Sequence, residues 1–407
     1  MKIGIIIWEL NIRGGTQRQA LELALYLKKK GHLVKIYTFN LDANECYHEL
    51  MKQLEIIGVE KDMGENRLWH LPRVKRIFTP YYSLYQMKHQ VEQLVKVMDE
   101  DFDIINCHDY GNVVAPAITY RKKYKTPVVW MANDLPTYHS RFRRRGPIYW
   151  AKALLNDFRG SWMHKHYQMN CIKQIDSVVV LDQRNKDLFS KHLASKATII
   201  RSGLDIKYFS PPERQTLGSS KFQVLTTGIF FPHRRFEDVV EAMKILTDDG
   251  LEGQLDIVGA EDCAPKYAQK IRYLVEDYGI RQQVRFLGHV SEEELLLEYR
   301  SADAFVFPHS PQTWGLAVFE AMACGTPVIV STGCGAAEVL TNGKNALLVP
   351  PESPQEIAER LKQLMQDKEL WKKLSRNGRK FVEENIRWDL YGEKMVRLFK
   401  EVVKENR

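Results

Sequence analysis

Twice along its length this chain runs through the same alternation, a short β-rich apolar run followed by a helical stretch and then another β-rich run. That pattern admits few architectures, because strands that read as near-continuous Val, Ile and Leu must be covered on both faces. The first series of predicted strands falls near residues 3–7, 33–38, 104–107, 128–131, 177–181 and 198–200; the second falls near 224–227, 254–258, 284–287, 304–306, 328–330 and 346–349. Between them lie Tyr208-Phe209-Ser210-Pro211-Pro212 and Leu217-Gly218-Ser219-Ser220, a connector that reads as a domain boundary. At 407 residues the chain also exceeds what one core usually serves. The fold class predicted is α/β, with two doubly wound Rossmann-like domains at 1–207 and 208–387. Ligands of such sheets sit beyond the carboxyl ends of the strands, so the expected site is a cleft between facing domains.

The apolar opening, residues 3–8, is too short for a signal-peptide core and runs into Glu9, so it reads as a first strand. No window reaches the ~18 consecutive apolar residues of a membrane span. A cytoplasmic protein is expected. Six cysteines, at 46, 107, 171, 263, 324 and 334, include no Cys-x-x-Cys pair, which predicts reduced, mostly buried thiols and no metal site. The net charge of +8 is uneven: residues 1–205 carry 32 Lys and Arg against 21 Asp and Glu, the remainder 27 against 30. Two stretches that mix cations with aromatics, 67–85 and 141–167, account for the imbalance. They suit an anionic membrane surface at the inner face, or a lipid-linked anionic acceptor; a solvated basic face is the alternative. No helix-turn-helix, RNP or zinc-finger pattern accompanies the charge, so nucleic acid is not expected as a partner.

The residues suited to chemistry gather at predicted strand ends. In the run from Phe307 to Val330, a loop containing Gln312 and Trp314 ends at Gly315, and a helix opens at Leu316. Its first amides lack intrahelical partners and attract phosphate. Glu320, one turn further on, can grip a hydroxyl pair. Gly14-Gly15 separate the first strand from an amphipathic helix predicted from Thr16 to Lys30, and the Gly15 amide is placed to approach a ligand. After the first strand of the second domain come Gly228 and then His233-Arg234-Arg235, whose guanidinium groups match phosphate oxygens. His108 and Asp109 end one first-domain strand, and Asn133 and Asp134 end the next. A nicotinamide dehydrogenase shares the sheet type but is disfavoured. The first turn is not G-x-G-x-x-G, and Tyr37-Thr38-Phe39-Asn40 offers no ribose-binding acid.

Taken in order and spacing, these pieces resemble the family 4 retaining glycosyltransferases of the GT-B fold over nearly the whole chain. The run at 307–330 is similar to that family's E-x7-E region. Gly14-Gly15 ahead of Glu22-Leu23-Ala24, then Arg201-Ser202-Gly203-Leu204-Asp205 with Phe209, Phe286-Leu287-Gly288-His289-Val290 with Glu293-Glu294-Leu295, and Gly335 with Glu338 and residues 345–349 follow the same pattern. The resemblance implies a last helix, about 388–407, that crosses back onto the first domain.

It also implies roles. Glu320 would hold the ribose of a nucleotide sugar, Gly315 and Leu316 would place amides beside the diphosphate, and Gly15 would approach the donor phosphate. His108 would lie near the transferred sugar. Arg235 would neutralise the diphosphate, with Arg234 as the substitute if the register shifts by one. Two positions depart from the pattern. Gln312 stands where the first carboxylate is usual, an amide that can bond to hydroxyls but cannot act as a base. Ile229 replaces an arginine, a loss that His233 or Arg234 would offset. The implied reaction is sugar transfer on one face, with the leaving diphosphate helping to deprotonate a glycan or lipid-linked acceptor, and with no cofactor or metal. A GT-B sugar-nucleotide epimerase, a non-catalytic nucleotide-sugar-binding subunit and a membrane-surface adaptor are the competing readings.

Overall fold

A computed structural model describes residues 1–59, 72–109, 111–133, 166–193, 196–212, 221–311 and 314–406. It divides into two units, Met1–Arg201 with Tyr391–Arg407, and Ser202–Leu390.

The first unit is built on seven parallel strands: β1 (Lys2–Leu10), β2 (Leu33–Leu41), β3 (Glu55–Gly58), β4 (Ile104–His108), β5 (Val128–Met131), β6 (Ser177–Val180) and β7 (Lys196–Ile199). Their order across the sheet is β3-β2-β1-β4-β5-β6-β7. Ile3, Ile5, Ile6 and Ile7 of β1 are all buried, as are all five residues of β4, which is why these runs are apolar on both faces. The helix Gly15–Lys29 packs on the sheet through Ala20, Leu21, Leu23, Ala24 and Leu27. Each buried leucine there contributes roughly 1.5–3 kcal/mol. The closing helix, Trp388–Glu405, buries Tyr391, Met395, Leu398, Phe399 and Val402, an i, i+4, i+7, i+8, i+11 stripe.

The second unit holds six parallel strands: β8 (Phe222–Thr227), β9 (Gly253–Val258), β10 (Val284–Gly288), β11 (Ala304–Phe307), β12 (Val328–Ser331) and β13 (Leu347–Val349). They run in the order β10-β9-β8-β11-β12-β13. Val224, Phe236, Val240, Leu255, Ile257, Val306, Ile329 and Leu361 belong to one buried cluster that joins this sheet to its helices.

Two expectations change. Strand β3 is an addition: only Ile56 and Ile57 give it apolar character, too little to stand out of the sequence. Residues 202–207 go with the second unit, since Leu204 bridges Arg387 and Arg379 donates to the carbonyls of Ile206 and Phe209.

Candidate active site

In each sheet the strand order reverses at one seam, between β1 and β4 and between β8 and β11, and the carboxyl ends of the strands beside such a seam are where sheets of this kind bind ligands. In the second unit the loop after β8 begins with Gly228, whose φ of 152° belongs to glycine. A Cβ there would stand 3.1 Å from His309 Cε1 and 3.3 Å from Arg234 Cδ. The chain then makes a 3-10 turn, Pro232–Arg234, and Arg235 caps the helix Phe236–Asp248 with a φ of 55°.

The two arginines divide. Arg235, expected to face the diphosphate, is turned onto acids: Nη2 is 2.6 Å from Asp238 Oδ1, Nε donates to Oδ2 at 3.0 Å, and Nη1 lies 3.7 Å from both Glu237 and Glu352. Its charge is already compensated. Arg234 instead flanks Gly228 and donates from Nη1 to His309 Nδ1 at 3.0 Å. Of the two, Arg234 is the one that lies beside Gly228. His233 stacks on Phe231, and burial, with help from Arg234, pushes its pKa down to about 4. It is neutral at physiological pH and cannot replace the cation missing at Ile229, an apolar side chain 41% exposed.

Across the seam, Gly315 takes φ 89° and ψ 64° ahead of the helix Leu316–Ala323. A Cβ at Gly315 would sit 2.7 Å from Phe307 and 3.0 Å from Cys334 Sγ, so conformation and space both require glycine. The Val318 amide turns back to the Gly315 carbonyl at 3.1 Å. Within that helix Glu320 is half-buried, and its Oε2 accepts from the Tyr299 hydroxyl at 2.9 Å. Burial, reinforced by the neighbouring carboxylate, holds the Tyr299 phenol well above its ordinary pKa, so it remains a donor. Trp314, expected to touch substrate, is instead core: it is 2% exposed and lies 4.6 Å from Phe319, where its large ring gains more from burial than from solvent.

In the first unit, Asn106 and His108 share one face of β4. The Asn106 amide nitrogen donates to the Val129 carbonyl at 3.0 Å, which aims its oxygen at His108 Nε2, 2.7 Å away. His108 therefore carries its proton on Nε2 and leaves Nδ1 as a buried acceptor without a partner among the described residues. Full burial lowers its pKa to about 3. The side chain expected near the transferred sugar is thus completely enclosed. Asn133 donates to Thr16 Oγ1 at 3.0 Å, which brings the end of β5 to the first turn of the Gly15–Lys29 helix; Gly14 caps that helix and Gly15 opens it, exposed.

Asp134 and Gln312 lie outside the described residues, as do most of the basic-aromatic stretches 67–85 and 141–167. Among the described residues no group of three or more His, Cys, Asp or Glu side chains is placed to hold a metal ion, and no helix is long and apolar enough to cross a membrane. The six cysteines are free, and Cys263 alone among them is exposed. Tyr299, His309 and Asn106 were not singled out from sequence. Asn106 had a signal, its i, i+2 spacing to His108 on a buried strand; Tyr299 had none, because it reaches Glu320 from another helix.

Two Rossmann-like parallel sheets with polar groups at their switch points define an enzyme of the GT-B fold. Residues 13–208 match the model for Glycosyltransferase Family 4 and residues 211–381 that for Glycosyl transferases group 1, and the chain belongs to this glycosyltransferase family. It is 26% identical over 98% of its length, and 98% of the relative's, to an uncharacterized glycosyltransferase of Methanocaldococcus jannaschii. It is 22% identical, over 92% of this chain and 84% of the relative, to the mannosylfructose-phosphate synthase of Agrobacterium fabrum. Among solved structures it shares its fold with the sucrose-phosphate synthase of Thermosynechococcus elongatus (TM-score 0.73, 20% identity, 100% of both chains). Anabaena HepE in complex with UDP-glucose is similar too (TM-score 0.74, 15% identity, 98% of this chain and 100% of that one).

Proposed function

We propose that this glycosyltransferase moves a sugar from a nucleoside-diphosphate sugar to a glycan or lipid-linked acceptor, with retention of anomeric configuration and without a bound metal. The observation that carries the reading is the pairing, at one seam of the second sheet, of Arg234 beside Gly228 with Glu320 inside the helix that Gly315 opens. A guanidinium and exposed helix-end amides suit a diphosphate, and a carboxylate one turn away suits ribose hydroxyls. Arg234 stabilises the charge that grows on the leaving diphosphate as the glycosidic bond breaks. The acceptor proton passes to that diphosphate, so no protein nucleophile is needed. In the first unit, the side chains that enclose His108 part when the sugar binds, and its Nδ1 then accepts from a sugar hydroxyl. The complex of Anabaena HepE with UDP-glucose supports a nucleotide-sugar donor.

A membrane-proximal acceptor is supported by the charge of the first half and by Lys122, Lys125 and Lys173, which line one surface hollow of the first unit beside the Arg121–Asp176 ion pair. Flotation with anionic vesicles tests that part. For the reaction itself, nucleotide sugars are screened by thermal shift, and release of nucleoside diphosphate from the stabilising donor is then followed with EDTA present. Stabilisation by one class and turnover in EDTA are expected; epimer formation without acceptor, or binding without turnover, would replace transfer by the epimerase or binding-subunit reading.

A further inference from the structure

The helix that carries Glu320 is closed at its far end by a side chain from elsewhere in the same unit. Of its last four carbonyls, those of Glu320, Ala321 and Met322 accept from the amides of Cys324, Thr326 and Gly325 at 3.1, 3.0 and 3.0 Å. The carbonyl of Ala323 accepts from Arg379 Nη1 at 2.7 Å, and Arg379 stands on another helix, Lys368–Asn385. The same nitrogen donates to the Phe209 carbonyl at 2.7 Å, Nη2 to that of Ile206 at 3.1 Å, and Nε to Glu383 Oε1 at 2.7 Å. One guanidinium therefore ties the end of the Glu320 helix to the segment by which the chain enters this unit. Arg300 secures the next residue, donating from Nε to the Ser210 carbonyl at 2.7 Å and from Nη2 to its hydroxyl at 2.9 Å. Phe209 is buried, with its ring edge-on to that of Tyr299 at 6.2 Å, and Tyr299 in turn donates to Glu320. The contacts close a circuit that starts and ends at Arg379 and has Glu320 on it.

We infer that Arg379 is a positioning residue for the ribose of the donor: it fixes the Glu320 carboxylate by two routes, through the backbone of the helix that ends at Ala323 and through Phe209, which backs Tyr299. This rests on the reading of Glu320 as the ribose-binding carboxylate. Ala323 leads towards β12 whereas Gly315 follows β11, so Arg379 acts from the end of the helix about 12 Å away from its opening, out of reach of what binds there. A guanidinium suits that place. Its donors leave one rigid plane in several directions, which lets it serve three carbonyls and Glu383 together, and its charge favours a helix C-terminus. A lysine would keep the charge but, with one ammonium on a flexible stem, would lose the spread.

The test titrates the full chain with UDP, GDP, ADP and dTDP, and then with the parent nucleoside of whichever binds. Arg379→Lys should weaken diphosphate and nucleoside by the same factor, about tenfold, the worth of one hydrogen bond to a charged group, because the loss falls on the ribose. In a Glu320→Ala background it should weaken the diphosphate no further. In the wild type, where no variant has to fold, saturation with the nucleoside should slow hydrogen exchange of the Phe209 amide, which bonds to the Asp205 carbonyl at 3.0 Å, since a ligand that draws on the circuit must stabilise it. Unchanged nucleoside affinity in Arg379→Lys, a loss confined to the diphosphate, a full tenfold loss in the Glu320→Ala background, or unaltered exchange at Phe209 would overturn the inference. If no diphosphate binds the wild type, or Glu320→Ala leaves nucleoside affinity intact, the nucleotide reading itself falls and the inference goes with it.

Discussion

The Tyr299 hydroxyl donates to Glu320 Oε2 across 2.9 Å, from a ring that is fully buried to a carboxylate that is only half so. The phenol cannot move, because it is packed against Phe305 at 5.5 Å and Phe209 at 6.2 Å. It follows that the Glu320 carboxylate is oriented before any ligand arrives. Tyr299→Phe keeps the packing and removes the bond. Donor kcat/KM should fall about tenfold, through KM, and Tm should fall by a few degrees, since a hydrogen bond to a charged group contributes about 1.5–3 kcal/mol and partial hydration lowers that here. Steady-state kinetics against varied donor decide it; an unchanged KM would show that Glu320 is oriented by other means.

The split between adjacent arginines makes the second prediction. Arg234→Ala should cut donor kcat/KM at least about a hundredfold, as expected for loss of a preorganised charge at the leaving group. Arg235→Ala should leave kcat/KM within about threefold but lower stability by roughly 1–3 kcal/mol, because Asp238 loses its bidentate partner. Kinetics paired with denaturant unfolding separate the two. The reverse assignment of effects would restore Arg235 to the diphosphate.

Much of this was legible in the sequence. Two alternating series predicted two parallel sheets, and Gly315, Leu316 and Glu320 come together as their spacing required, since a strand, a glycine and a helix fix their positions locally. The register of His233-Arg234-Arg235 was not legible. Which guanidinium faces outward depends on the left-handed backbone of Arg235 and on Asp238, three residues along the next helix, and no side-chain pattern reports a φ of 55°. Trp314 misled for a related reason: an aromatic in a loop looks available until Phe319 is seen beneath it. Partners that come from distant strands, such as His309 for Arg234, lie beyond any local reading.

Stability should be acid-labile through histidines. His108 is lowered to about 3, His233 to about 4 and His309 well below its ordinary value, burial being the main cause in each. Because each folded pKa lies below the unfolded value of about 6.5, the unfolded chain takes up protons first. The stability these groups confer is complete above about pH 6.5 and is lost as the pH falls towards the folded values. For His108 and His309 the loss approaches about 1.4 kcal/mol per pH unit each, and His233, partly open to water, contributes less. Urea unfolding at pH 7 and pH 5 measures it. His108→Gln should flatten the dependence, and an equal slope in that variant would mean His108 is charged in the folded state.

Gly315→Ala should be costly twice over. The residue needs a φ of 89°, and the new methyl would meet Phe307 at 2.7 Å. A loss of about 2–4 kcal/mol is expected from backbone strain and overpacking together. The start of the Leu316–Ala323 helix would shift, so nucleoside-diphosphate affinity should fall with it. Calorimetry and thermal unfolding of the same variant check both effects, and full affinity at reduced Tm would detach this helix opening from the ligand.

The stereochemistry of the product tests the central claim most directly. With an α-linked nucleotide sugar and an accepted acceptor, proton NMR of the fresh product in EDTA should show an α-linked glycoside formed in step with nucleoside diphosphate, and both products at least about a hundredfold more slowly from Arg234→Ala. A β-linked glycoside, or a sugar released without a bond to acceptor, would contradict transfer on one face with the diphosphate as the proton's destination.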